Sequence, residues 1–535
     1  MRHRIVLFAL CVGIAFGIDP TVDAKERIAP PSPVVSASGT PIPEPPSMTP
    51  VDGVLYFTLT AKPARVEVAG RTLISNVYNG LYIPPVLRLR RGDELRLKFV
   101  NEIGPSDMEI KERQVSNVHY HGMAIPPVQP ADDVYMLVPP AGGIAKSEDQ
   151  PPADGKHAGH GEADEDEGHA AHLAGADIKP TNTYNYRWTV PADHATGLFW
   201  YHPHPHGISE AQVLSGMSGL LVIEDLIGRR YPELQDLKRR TLILKDAELP
   251  GADEDDPKTK TINGVLGGVM AATPGSFEIW EIGNLGADAY FDLALDGHRF
   301  WLLEQDGNAL PRPVEIDHVF LPPASRARVV VEVGAAGLYG LRTLAVDTGT
   351  AGDPNPEVVL GTLNAIGAPA TGAADRIRMR LSQPAADIQP DAGRAERIAA
   401  LPVTRSRTIT YTESADGKTF FINGREFDIN RIDVDVKLGD VEEWTIINDT
   451  DERHTFHIHQ LDFLVQSVGD NPLEMTGMRD NVDVPFRDPK TRVPGVVKVK
   501  VPFTNPLIVG KFPFHCHILE HEDGGMMANV RVRPR

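Results

Sequence analysis

Apolar and polar residues alternate over short stretches along most of the chain, as in Glu94-Leu95-Arg96-Leu97-Lys98-Phe99 and Glu278-Ile279-Trp280-Glu281-Ile282. A period of two puts one set of side chains on a buried face and the other in solvent, which is the pattern of a half-buried β-strand. These runs recur in a larger frame. An Asn-Gly turn is followed by a glycine and, nine residues after that glycine, by an asparagine closing a strand. The series is Asn79-Gly80, Gly92 and Asn101; Asn263-Gly264, Gly275 and Asn284; Asn423-Gly424, Gly439 and Asn448. Repetition at about 160 residues, with many turn signals and few long helical patterns, predicts three copies of one Greek-key β-sandwich. The expected boundaries are 51–226, 227–395 and 396–535.

The ends of the chain add a destination. Met1-Arg2-His3-Arg4 is basic, Ile5 to Gly17 is apolar and Val22-Asp23-Ala24 offers a cleavage site before Lys25, so residues 1–24 read as a signal peptide. The apolar run is too short to span a bilayer comfortably. The expectation is a periplasmic or secreted protein with no membrane attachment after signal removal. Residues 25–50, rich in Pro and Ser, read as a disordered linker. A formal charge of -20 argues against nucleic acid as a partner, which needs a basic patch. The two cysteines are Cys11, inside the leader, and Cys516, so the mature chain can form no internal disulfide. A lone thiol in an oxidising compartment is a liability unless something occupies it, and a bound metal would do so.

Candidate chemistry concentrates around that thiol. His515, Cys516, His517, His521 and Met526 lie within twelve residues. In a strand, Cys516 faces one way and His515 and His517 the other, so one strand can serve two metal sites. Cys516, His521, Met526 and one distant histidine would form the thiolate, two-imidazole and axial thioether set of blue-copper electron transfer. A lone cysteine is more often a buried core residue, but five copper-compatible side chains in so short a stretch point to metal. Three further His-x-His pairs, His119/His121, His202/His204 and His457/His459, bring the paired histidines to eight, and His454 is left over for the thiolate site.

These motifs resemble those of the three-domain multicopper oxidases, the bacterial laccase-like family built of cupredoxin repeats, and the resemblance runs from about residue 52 to residue 535. It implies an all-β fold of three consecutive cupredoxin-like Greek-key β-sandwich domains, and four copper ions. His454, Cys516, His521 and Met526 would bind type 1 copper, and His119 and His457 type 2 copper. His121, His202, His204, His459, His515 and His517 would bind the type 3 pair. Two pairs come from domain 1 and two from domain 3, so the three-copper cluster is expected between them, while domain 2, with only His298 and His318, is expected to be a copper-free spacer. Glu522 matches the family's carboxylate on the proton path to dioxygen, and Asp132 or Asp133 are candidates for the other.

The activity implied is one-electron oxidation of phenolic or similar donors coupled to four-electron reduction of O2 to water. The alternatives are oxidation of cuprous or other metal ions in periplasmic copper homeostasis, or copper binding without turnover. Met475 and Met478 could lie near the thiolate site, although methionine more often packs. The spacing from His119 to His202, 83 residues, exceeds the family expectation. The excess, residues 142–180, holds His157, His160, His169 and His172 among carboxylates, and reads as a disordered surface loop or a labile copper-binding one. His206 extends the second motif and is expected to be a packing residue.

Overall fold

The computed structural model describes residues 35–535 apart from 108–113, 143–174, 253–255, 373, 387, 389–390, 470 and 473–476. The alternating runs become strands of six larger sheets, two per third of the chain. In the first third, Val54–Val68 lies between Arg71–Tyr78 and Glu94–Asn101, with Thr183–Thr189 at the edge. Facing them is a sheet in which Gly197–His202 pairs with His119–His121 on one side and Gly219–Glu224 on the other. The second and third parts repeat the plan. Each copy pairs its first long strand in parallel with the strand ending in the repeated asparagine: 54–61 with 94–101, 238–244 with 278–284, and 405–411 with 442–448. Each copy has its own core, for example Trp444, Phe456, Phe463 and Phe514 in the third. Fully burying each such side chain contributes about 1.5–3 kcal/mol.

The sequence repeat has a structural cause. Asn79, Asn263 and Asn423 adopt positive φ, which asparagine tolerates, and each side-chain oxygen accepts from the backbone N–H of a strand beside the turn, Thr60, Ile243 or Thr410. Asn101, Asn284 and Asn448 are fully buried corner clips. Asn101 donates to the carbonyls of Gln114 and Val138, Asn284 to those of Ala289 and Leu321, and Asn448 to those of Glu452, Val484 and Pro485. Each amide thus satisfies loop carbonyls where a strand leaves its sheet.

Residues 35–50 correct the expectation of a disordered linker. Ser36 N donates to Thr362 Oγ1, Pro41 bridges Val269, and Ser47–Met48 pairs in parallel with Val86–Leu87. Proline-rich chain is already extended, so single backbone bonds suffice to lay it along the second and first domains. The expected signal peptide and the four histidines of the insertion lie outside the described residues. No helix among the described residues is long and apolar enough to cross a membrane.

Candidate metal centre

Strands His454–Ile458 and Gly510–Cys516 pair with Phe456 opposite Cys516 and His457 opposite His515. Cys516 and His454 therefore share one face. The short helix Leu519–Asp523 returns His521 to it. Cys516 Sγ lies 3.5 Å from His454 Nδ1 and 3.6 Å from His521 Nδ1, and the two nitrogens are 2.9 Å apart. Met526 is fully buried, and its backbone is tied to both neighbours: its N–H donates to His521 O and its carbonyl accepts from Cys516 N. Each imidazole is oriented from behind. Thr450 Oγ1 is 2.8 Å from His454 Nε2, and Glu452 Oε1 is 3.3 Å from His521 Nε2. Burial, then His521, pulls His454 down to about 3. Burial also opposes protonation of His521, but Glu452 and Cys516 outweigh it and raise that ring above the usual range.

On the opposite face of the same strand, His515 and His517 meet histidines of domain 1. Three all-histidine groups of candidate ligand atoms are brought within 4.8 Å, His121, His202 and His517; His204, His459 and His515; and His119, His121 and His457, and a fourth joins Asp132 to His119 and His459. Ring nitrogens approach as closely as 3.3 Å for His204 and His515, 3.0 Å for His459 and His515, and 3.2 Å for His121 and His517. The outward nitrogens are anchored: His202 Nδ1 on Pro203 O, His457 Nδ1 on Asp480 O and His515 Nδ1 on Cys516 O. The inward Nε2 atoms of His119, His202 and His457 have no protein partner. Burial pushes His121, His202, His204, His457, His459 and His517 below the ordinary histidine range, and neighbouring rings reinforce this for each. Buried neutral rings with converging lone pairs fit cations held between them. Among the described residues all such groups draw on the first and third copies, and none on the second.

Three carboxylates bear on this second face. Glu522 is fully buried, 3.1 Å from His515 Nδ1 and 3.6 Å from His204 Nε2. Burial alone would raise it, but His204 and His515 hold it well below the carboxylate range. Asp132 accepts from Tyr120 N at 3.0 Å and Gln460 Nε2 at 2.6 Å, and its Oδ2 is 3.0 Å from His119 Nδ1. Asp133, its neighbour on extended chain, faces away and accepts from Gln129 and Tyr135 N, so the structure brings only one of the two aspartates to the histidines. Asp480, which no motif signalled, lies 3.5 Å from His121 Nε2. Gly122 must lack a side chain, because a Cβ there would collide with the Asp480 carboxylate.

A cavity of about 360 Å³ opens beside His521 between domains 2 and 3. Phe420, stacked on His521 at 4.3 Å, forms part of its wall, together with Tyr290, Glu413, Asp416, Glu452 and Glu520. Glu413 is raised to about 7 by burial and by its hydrogen bond with Glu452. Met478 packs on Ala395 and Leu464 and does not line this cavity, and Met475 lies outside the described residues. His206 packs edge-on against Phe427. His298 accepts from Gly334 N, and His318 contacts Asp292.

A thiolate site and a histidine-rich group back to back on one strand, within a threefold cupredoxin fold, define a multicopper oxidase. Family models described as multicopper oxidase match residues 162–227, 234–367 and 400–535, more than half of the chain, and the protein belongs to that family of copper oxidoreductases. It is 26% identical over 498 residues to a multicopper oxidase of Staphylococcus haemolyticus, covering 90% of this chain and 89% of that one. It is 22% identical over 515 residues to a laccase of Bacillus subtilis, covering 85% and 89%. A multicopper oxidase from Campylobacter jejuni described as a metallo-oxidase shares the fold, with a TM-score of 0.69, 23% identity and coverage of 92% and 95%.

Proposed function

We propose that the protein is a laccase-like oxidase of the periplasm or extracellular space, taking single electrons from small phenolic or similar donors and reducing O2 to water with four copper ions. Four donor molecules, each losing one electron and one proton, balance one O2 and two waters. The observation that carries this reading is the run His515-Cys516-His517 at the end of strand Gly510–Cys516: Cys516 joins His454 and His521, the last of which lines the cavity, and the histidines one residue either side join the other ligand group. His454, Cys516, His521 and Met526 would hold type 1 copper, His119 and His457 type 2, and His121, His202, His204, His459, His515 and His517 the type 3 pair. Bound copper supplies the one-electron oxidation at the first site and the reduction of O2 at the second. The chain supplies the rest. His521 forms the cavity floor, Glu413 accepts the donor hydroxyl proton, and Glu522 and Asp132 stand beside His515 and His119, where a carboxylate can take protons from solvent and relay them towards oxygen. The carboxylates of the cavity also favour a second reading, oxidation of a metal cation. Carboxylate oxygens suit a harder ion than cuprous.

An oxygen electrode with copper-loaded protein tests the proposal, using 2,6-dimethoxyphenol, cuprous and ferrous ion in turn while the blue thiolate absorption is followed. Oxygen uptake without peroxide, fastest with the phenol, is expected. Faster turnover of a metal ion would transfer the assignment to a metallo-oxidase, and a blue protein consuming no oxygen would end the oxidase reading.

A further inference from the structure

Arg326 belongs to the copper-free domain, at the start of strand Arg326–Glu332, yet it is fully buried where all three domains meet. Its Nε donates to Leu198 O at 3.0 Å, on the domain 1 strand that carries His202. Nη1 donates to Ala324 O at 2.9 Å and to Asp480 Oδ1 at 2.8 Å, and Nη2 to Asp480 Oδ2 at 2.6 Å. The same Asp480 has its carbonyl on His457 Nδ1 at 2.7 Å and its Oδ1 3.5 Å from His121 Nε2. A second grip lies alongside: Glu304 of domain 2 accepts from Leu198 N, and Arg328 holds Glu304 at 2.7 Å. Ser325 Oγ, next to Arg326, donates to Asn481 at 2.9 Å, fixing the residue after Asp480.

The guanidinium is a planar fork matched to a carboxylate, and a buried pair of this kind loses its partner only at high cost. With Arg326 in place, Asp480 can occupy one position, which sets the orientation of the His121 and His457 rings. Metal ligands depend on such partners for ring orientation.

We propose that Arg326 is a positioning residue for the three-copper cluster, acting through Asp480 on His121 and His457, so that docking of domain 2 and closure of the type 2 end are one event. Domain 2 is then part of the metal site and not a spacer. The inference rests on the ligand assignment proposed above.

The test compares wild type with Arg326→Lys, which keeps the charge but loses the fork, and Asp480→Asn, which keeps the shape but loses the charge. Copper content, the blue absorption, the type 2 electron paramagnetic resonance signal and copper release to a chelator are recorded. Both variants should keep the blue band while binding type 2 copper about 10- to 100-fold more weakly. The double variant should be no worse than the weaker single one, since the two residues act as a unit. Wild-type retention of type 2 copper in both variants would overturn the proposal. So would parallel loss of the blue band, type 2 signal and melting temperature, which would mean domain docking alone. A wild type with a blue band but no type 2 copper would instead overturn the ligand assignment, and this inference with it.

Discussion

Asn448 closes the corner from which the thiolate site hangs, and its removal is a test with a built-in control. Its amide donates to Glu452 O at 2.8 Å, Pro485 O at 3.0 Å and Val484 O at 3.3 Å, and its oxygen accepts from Thr450 N at 3.0 Å. Thr450 and Glu452 are the residues behind His454 and His521. Asn448→Ala leaves at least two backbone groups without a partner in a dry corner, at about 1–3 kcal/mol each, so a loss of about 3 kcal/mol is expected. At about 2–4 °C per kcal/mol for a domain approaching this size, calorimetry should find the third domain melting about 6–12 °C lower. Asn284→Ala removes the equivalent clip, with bonds of 2.9 and 3.0 Å, from the second domain, which supplies no candidate ligand group among the described residues. It should destabilise comparably and leave the blue band untouched, whereas Asn448→Ala should shift or weaken that band. A melting change of under about 2 °C for Asn448→Ala would refute the reasoning, because two stranded buried groups cannot be so cheap. A blue band unchanged in the destabilised variant would show that Thr450 and Glu452 do not depend on the corner.

Glu522→Gln should slow oxygen consumption by about 100-fold while the blue absorption stays intact, since a proton-relaying carboxylate is removed and no ligand is; unaltered turnover would take Glu522 out of the proton path. Glu413, raised to about 7, can accept a proton only above that pH, so kcat/KM for a phenol should rise through about pH 7. Glu413→Gln should flatten that limb, and a preserved limb would assign the proton to another group. Cys516→Ser should abolish the blue band while the histidine-bound copper stays, read by metal content and by the type 2 resonance signal. Simultaneous loss of all copper would mean that the two sites fold as one.

How much of this was legible in the sequence depended on spacing. The sandwich repeat could be read because each Asn-Gly turn and each corner asparagine keeps its place relative to a strand of period two. The clustering of the histidine pairs could be read for the same reason, since His-x-His on a strand must point one way. Asp480, Arg326, Thr450 and Glu452 carried no signal: they act through tertiary contacts from other segments, at separations no local pattern records. Asp132 and Asp133 were indistinguishable by composition, and the turn of the backbone alone decided which meets His119. The segment from 35 to 50 was misjudged because proline and serine show no hydrophobic period, yet a few backbone bonds hold it across two domains.

The placement of the histidine-rich group between the first and last cupredoxin domains bears on biogenesis. Its histidines are synthesised in the first and last parts of the polypeptide, and the strand Gly510–Cys516 contributes to both clusters. A nascent chain still emerging from the ribosome can present isolated His-x-His pairs but no finished cluster. With copper held as proposed, metallation would follow completion of the chain, and a chain truncated before residue 515 would carry six of the eight paired histidines and remain colourless.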